Sequence, residues 1–141
     1  MKRTASLLTS SLLALTFVAC ATADRDHIKA LEYQSSATQR LAWERKDASL
    51  LTNAADRAAI QQEMDATTSV KALKYDLQSI EVNGNEAVAT SSAKLVTETA
   101  SGEKVTTITQ KQKYSKVGGQ WKASGPAEAV ANSGANGQPA S

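Results

Sequence analysis

The sequence is poor in the residues most proteins use to build reactive sites or to cross-link a fold. It has one cysteine (Cys20), one histidine (His27), two prolines and only six aromatic residues: two Trp, three Tyr and one Phe. A single cysteine excludes an internal disulfide and any cluster of thiolate metal ligands. His27 stands beside Asp24 and Asp26, a loose grouping that reads as a solvated helix start rather than a metal site. With no reactive Ser or Cys near His27 and no Gly-x-Ser-x-Gly elbow, there is no basis for a nucleophilic triad. The glycines at 118, 119, 134 and 137 lack the strand-to-helix setting of a phosphate loop. No catalytic, cofactor-binding or metal residue is therefore assigned.

Charge is also lacking in surplus. The 16 basic residues exceed the 14 acidic ones only through Lys2 and Arg3, which sit in a leader. A chain from Asp24 onward is balanced, so it has no electrostatic footing for nucleic acid. Oligomeric state is not fixed by anything in the sequence.

The N-terminus carries the positive information. Met1-Lys2-Arg3 is followed by Leu7-Leu8, by the apolar run from Leu12 to Ala19, and then by small residues. This is the charged, apolar and cleavable order of an export signal over residues 1–23. The unbroken apolar run is too short for the roughly 20 residues that span a bilayer. Two cuts fit. Ala21-Thr22-Ala23 favours cleavage after Ala23, freeing Asp24. Val18-Ala19-Cys20 resembles a lipoprotein lipobox, with Phe17 where an aliphatic residue is usual. Cleavage before Cys20 followed by acylation of its thiol would anchor the protein to a membrane through several chains. The destination is the cell envelope, as a periplasmic protein, an outer-membrane lipoprotein or a secreted protein.

The remaining 118 or so residues suit one domain, with a core drawn from Ala, Leu, Val and Ile. Residues 24–46 read as a helix whose apolar face would be Ala30, Tyr33, Ala37 and Leu41, continuing to Ala48 and Leu51. Glu32, Gln39, Arg40 and Arg45 fall off that stripe. Thr52-Asn53 suggests the cap of a second helix over 54–66, with Asp56 in its first turn and Ile60 and Met64 on its apolar row.

The period then changes to two. Leu73, Tyr75 and Leu77 share a face, and Ile80 and Val82 continue with shifted parity, which requires a bulge near Gln78-Ser79. Asn83-Gly84 turns the chain, 86–99 forms a strand, and Ser101-Gly102 turns it again. Residues 104–117 form a third strand, Gly118-Gly119 a last turn, and 120–123 a short closing strand. The fold class is α+β: two N-terminal helices on a four-stranded antiparallel curved sheet over 24–124. Residues 125–141, rich in Gly, Ala, Ser and Pro, are expected to be disordered.

Leu77-x-x-Ile80-x-Val82-x-Gly84-Asn85-x-Ala87-x-Ala89, then Gly102, then Tyr114-x-Lys116-x-x-Gly119-x-Trp121-Lys122, resembles the C-terminal half of nuclear transport factor 2-like domains. Lys46-Asp47-Ala48-x-Leu50-Leu51 resembles the corner after that superfamily's long first helix. The resemblance implies a cone in which a curved sheet wraps the helices. It leaves the role open, since the superfamily holds isomerases, polyketide cyclases and noncatalytic binders.

An isomerase-type site needs an inward carboxylate facing an acid donor. Asp76 alternates with Tyr75 and Leu77 and should face solvent, and Tyr114 is expected mainly to pack its ring. Lys111 and Lys113, with Lys104, Lys116 and Lys122 nearby, read as a solvated outer sheet face. The expectation is a noncatalytic envelope binding or scaffold protein with an envelope protein as partner. Its alternatives are a carrier of a small apolar ligand, in a pocket lined by Leu41, Ile60, Leu73, Tyr75, Leu95, Ile108 and Trp121, or an isomerase- or cyclase-type enzyme.

Overall fold

The computed structural model describes residues 8–133, with side chains over 22–130. Residues 1–7 and 134–141, and the side chains of residues 8–21 with the Cys20 thiol and the expected cleavage sites' Val18, Ala19 and Ala21 among them, lie outside what it describes. Helix α1 runs over Leu8–Arg45. It stops at Lys46, whose φ of 53° is left-handed, and the Asp47 amide reaches back to the Ala42 carbonyl at 2.9 Å. That is the geometry of a Schellman stop. Asp47 then caps a single 3-10 turn, Ala48–Leu50, by accepting from the Ser49 amide at 3.0 Å.

Gln61 pins this corner to the next helix. Its Nε2 donates to the Lys46 carbonyl at 2.8 Å, and its Oε1 accepts from the Ala48 amide at 2.9 Å. Helix α2 spans Arg57–Ala66. The expected cap at Thr52-Asn53 is corrected: Asp56 is the N-cap, and its carboxylate accepts from the Ala59 amide at 3.0 Å. The reason is chemical. A carboxylate three residues before a free amide both accepts its hydrogen and offsets the positive helix end.

The sheet follows as β1 (Thr67–Asn83), β2 (Glu86–Thr99), β3 (Gly102–Val117), β4 (Gln120–Ala123) and β5 (Glu128–Ser133). The first four are antiparallel neighbours in chain order. Register slips between Leu77 and Ser79, at the expected bulge, and again near Ser69 and Lys71. The first turn is Gly84-Asn85, one residue later than expected, because Asn83 still pairs with Glu86. Gly84 takes the positive φ at the first turn position, where a right-twisted hairpin favours glycine. Gly118 and Gly119 both have positive φ, so neither tolerates a side chain without strain.

The largest correction concerns the tail. Residues 125–141 do not all lie beyond the fold, because β5 pairs antiparallel with β3 from Thr107↔Ser133 to Lys111↔Glu128. β4 covers only the Tyr114 to Val117 end of β3. Elsewhere that long edge would present unpaired amides and carbonyls, and β5 pairs with its Thr107 to Lys111 stretch. Composition gave no hint of this, since the pairing needs only backbone.

The helices lie on one face of the sheet. α1 passes over β1: Tyr33 meets Tyr75 edge-on with centroids 5.9 Å apart, and Arg40 donates to the Leu73 carbonyl at 3.4 Å. The inward face of α1 is also corrected. Tyr33 is 51% exposed and Leu41 37%, whereas Ile28, Glu32 and Ala42 are buried. The two sets are offset by about two residues, roughly 200° of rotation on an α-helix. Alanines on both sides of this helix leave its apolar count nearly symmetrical, and the fully buried Ile28 (about 1.5–3 kcal/mol of burial) sets the true side. Two separate clusters form the core: Ile28, Ala87, Ala89, Tyr114 and Trp121 at one end, and Ala42, Ala48 and Met64 at the other.

Candidate functional site

Between these clusters the interior is not filled. The stretch of α1 spanning the gap carries Gln34, Ser35, Thr38 and Gln39, and the sheet opposite supplies Ala93 and Thr106. Short and polar side chains on both sides do not close the space between a helix and a sheet. A cavity of about 610 Å³ results. Its walls also include Trp43, Leu50, Leu51 and Ile60 from the helical corner, Leu73, Leu95 and Ile108 from the sheet, and Ala127 and Ala129 at the tail. Strand β5 and the loop before it thus close one side. Gln112 fixes that loop, donating to the Lys113 carbonyl at 2.9 Å and the Gly125 carbonyl at 3.0 Å.

One carboxylate reaches the cavity from inside. Glu32 is 3% exposed and accepts on both oxygens from tyrosines of two different strands. The Tyr114 hydroxyl donates to Oε1 at 2.6 Å, and the Tyr75 hydroxyl donates to Oε2. Burial pushes both phenols well above their ordinary pKa of 10.0, and the hydrogen bond to Glu32 raises them further. Loss of either proton would place a second negative charge beside a carboxylate in a poorly hydrated site. Both tyrosines therefore remain donors across the physiological range.

No protein family and none of the curated proteins matches the chain. Among solved structures, the chain is similar to that of Rv3472, a function-unknown protein from Mycobacterium tuberculosis. The two share 19% identity over 77% of this chain and 76% of that one, with a TM-score of 0.43.

The structure brings five of the seven expected pocket residues to the cavity: Ile60, Leu73, Tyr75, Leu95 and Ile108. The other two are corrected. Leu41 faces away, beside a shallow hollow with Tyr33, Ala37 and Arg40, because the helix is rotated from the expected side. Trp121 belongs to the filled cluster below, and its Nε1–H donates to Asp24 at 3.0 Å. Bulk drew both into the expectation, but the helix phase and a polar indole edge decided their places.

The residues missed are the polar ones. Glu32 lies four positions after Ile28, one turn along the same face, and that spacing was its available signal. Tyr114, expected mainly to pack its ring, is 4% exposed with its hydroxyl donating to Glu32. Asp76 is exposed, as strand alternation implied. His27 is exposed as well. Among the described residues, no group of three His, Cys, Asp or Glu side chains is placed to hold a metal ion. No helix among them is long and apolar enough to cross a membrane.

Proposed function

We propose that this is a noncatalytic envelope protein that binds a small, largely apolar molecule between its helices and sheet. The observation that carries the reading is the cavity of about 610 Å³. It falls within the roughly 300–1,000 Å³ of small-molecule sites, and its walls mix the apolar Leu50, Leu51, Ile60, Leu73, Leu95 and Ile108 with polar side chains such as Glu32 and Gln112. In this reading the leader exports the chain. The domain then works either from a lipid anchor on Cys20 or free from Asp24. The exposed Tyr33 and Leu41 are the surface an envelope partner would meet. The sheet's bulges support the curved, cone-like wrap of nuclear transport factor 2-like domains, because each bulge bends its strand.

Native mass spectrometry of the purified protein, combined with displacement of a polarity-sensitive apolar dye, tests this. Saturable one-to-one binding is expected, and Ala93→Trp, which projects an indole into the cavity, should abolish it while leaving circular dichroism unchanged. Binding unaffected by Ala93→Trp would defeat the reading. A second reading, proton transfer of the isomerase or cyclase kind, is favoured by one observation: the inward Glu32 with two facing hydroxyl donors. It predicts that Glu32→Gln removes turnover of a cyclic ketone without removing its binding.

A further inference from the structure

Resting on the proposed pocket, a narrower statement about its ligand follows from the charges that line it. Glu32 is buried, and its hydrogen-bond partners are two neutral hydroxyls. Asp56 and Glu63 also line the cavity, both on exposed residues at its helical rim. Among the described residues that line it there is no lysine, arginine or histidine.

We infer that the pocket selects an organic ammonium, a cationic group on an apolar body, with Glu32 as its counter-ion. Buried carboxylates are ordinarily paired with a cation, because hydrogen bonds alone replace only part of the lost hydration. A carboxylate offers about four lone-pair positions, and the two tyrosines take one on each oxygen, which leaves room for a charged N–H donor. Tyr75 and Tyr114, which hold Glu32, line the same cavity, and aromatic faces attract ammonium groups. An anionic amphiphile of equal size would bring like charge to a cavity that already holds three acidic residues and no base. A neutral one would gain burial alone. The order of affinity is therefore cation, then neutral, then anion.

Octylammonium, octanol and octanoate separate these cases, since they share one chain and differ in head group. Calorimetry on the full chain should show octylammonium binding at one site about tenfold or more tighter than octanol, with octanoate weakest. Added sodium chloride should weaken the ammonium and leave octanol nearly unchanged. Glu32→Gln should bring the ammonium-to-octanol ratio close to one, while Glu63→Gln at the rim should keep most of it. If Glu32→Gln fails to fold, the order of the three probes on the unmodified protein decides. Octanol or octanoate binding as tightly as octylammonium overturns the inference, as does a preference that follows Glu63 instead of Glu32. Octanol bound at the cavity with no preference for the cation sinks this inference and leaves the pocket reading standing. Three silent probes sink both.

Discussion

The Trp121 indole donates to the Asp24 carboxylate at 3.0 Å, across 97 residues of chain. The Lys116 ammonium joins the same carboxylate at 2.9 Å and lies 5.8 Å from the Trp121 ring centre. One acid on α1 thus clasps the closing hairpin of the sheet.

The clasp predicts an acid-dependent stability. The Trp121 hydrogen bond, and then the Lys116 hydrogen bond, hold the Asp24 carboxyl below its ordinary 3.8. A carboxyl depressed in the folded state stabilises fully above the unfolded pKa, and that stability drains away as pH falls through the lowered folded value. Asp24→Asn should cost about 1 kcal/mol at neutral pH, and the cost should shrink below pH 3.8. Thermal melts at matched pH check this. A constant penalty down to strong acid would contradict it.

The two inward tyrosines predict the opposite limb. Their pKa values are raised above 10.0 by burial and by Glu32. A raised folded pKa gives stability that is complete below the unfolded value and is lost as pH rises past it. Ultraviolet titration should therefore show two of the three tyrosines resisting ionisation until the fold opens. Tyr114→Phe should flatten part of the alkaline loss. At neutral pH it should also destabilise by about 1–3 kcal/mol, since one oxygen of a buried carboxylate loses its donor.

Strand β5 is expected to be structural. Removing residues 125–141 strips the Thr107 to Lys111 edge of β3 and takes Ala127 and Ala129 from the cavity wall. Hydrogen exchange should lose its protection along that edge while remaining slow in β2, which is paired on both sides. The melting temperature should fall. Unchanged exchange at 107–111 would mean that the strand contributes nothing.

At the start of α2 the cap is testable alone. Asp56→Ala should cost about 1 kcal/mol, and Asp56→Ser should recover most of it, because a serine oxygen can accept the same amide hydrogen. Substituting Thr52 and Asn53 together by alanine should cost less than Asp56→Ala. Chemical denaturation of the three variants compares them directly.

The sequence determined what depends on neighbours along the chain. Alternation over 86–99, the paired glycines at 118–119 and the parity shift after Leu77 each rest on local φ/ψ preferences or a period of two. They placed β2, the last turn and the bulge near Gln78 correctly. Whatever depended on distant partners was settled only in three dimensions. Nothing local in α1 tells Ile28's side from Tyr33's when alanines lie on both, and the sheet chooses. Nothing local in 128–133 announces a strand, because its partner is the bare edge of β3. Glu32 looked like a solvated helix charge until two tyrosines from separate strands met it. A buried carboxylate is tolerable only where remote donors converge, and convergence of that kind belongs to the tertiary structure.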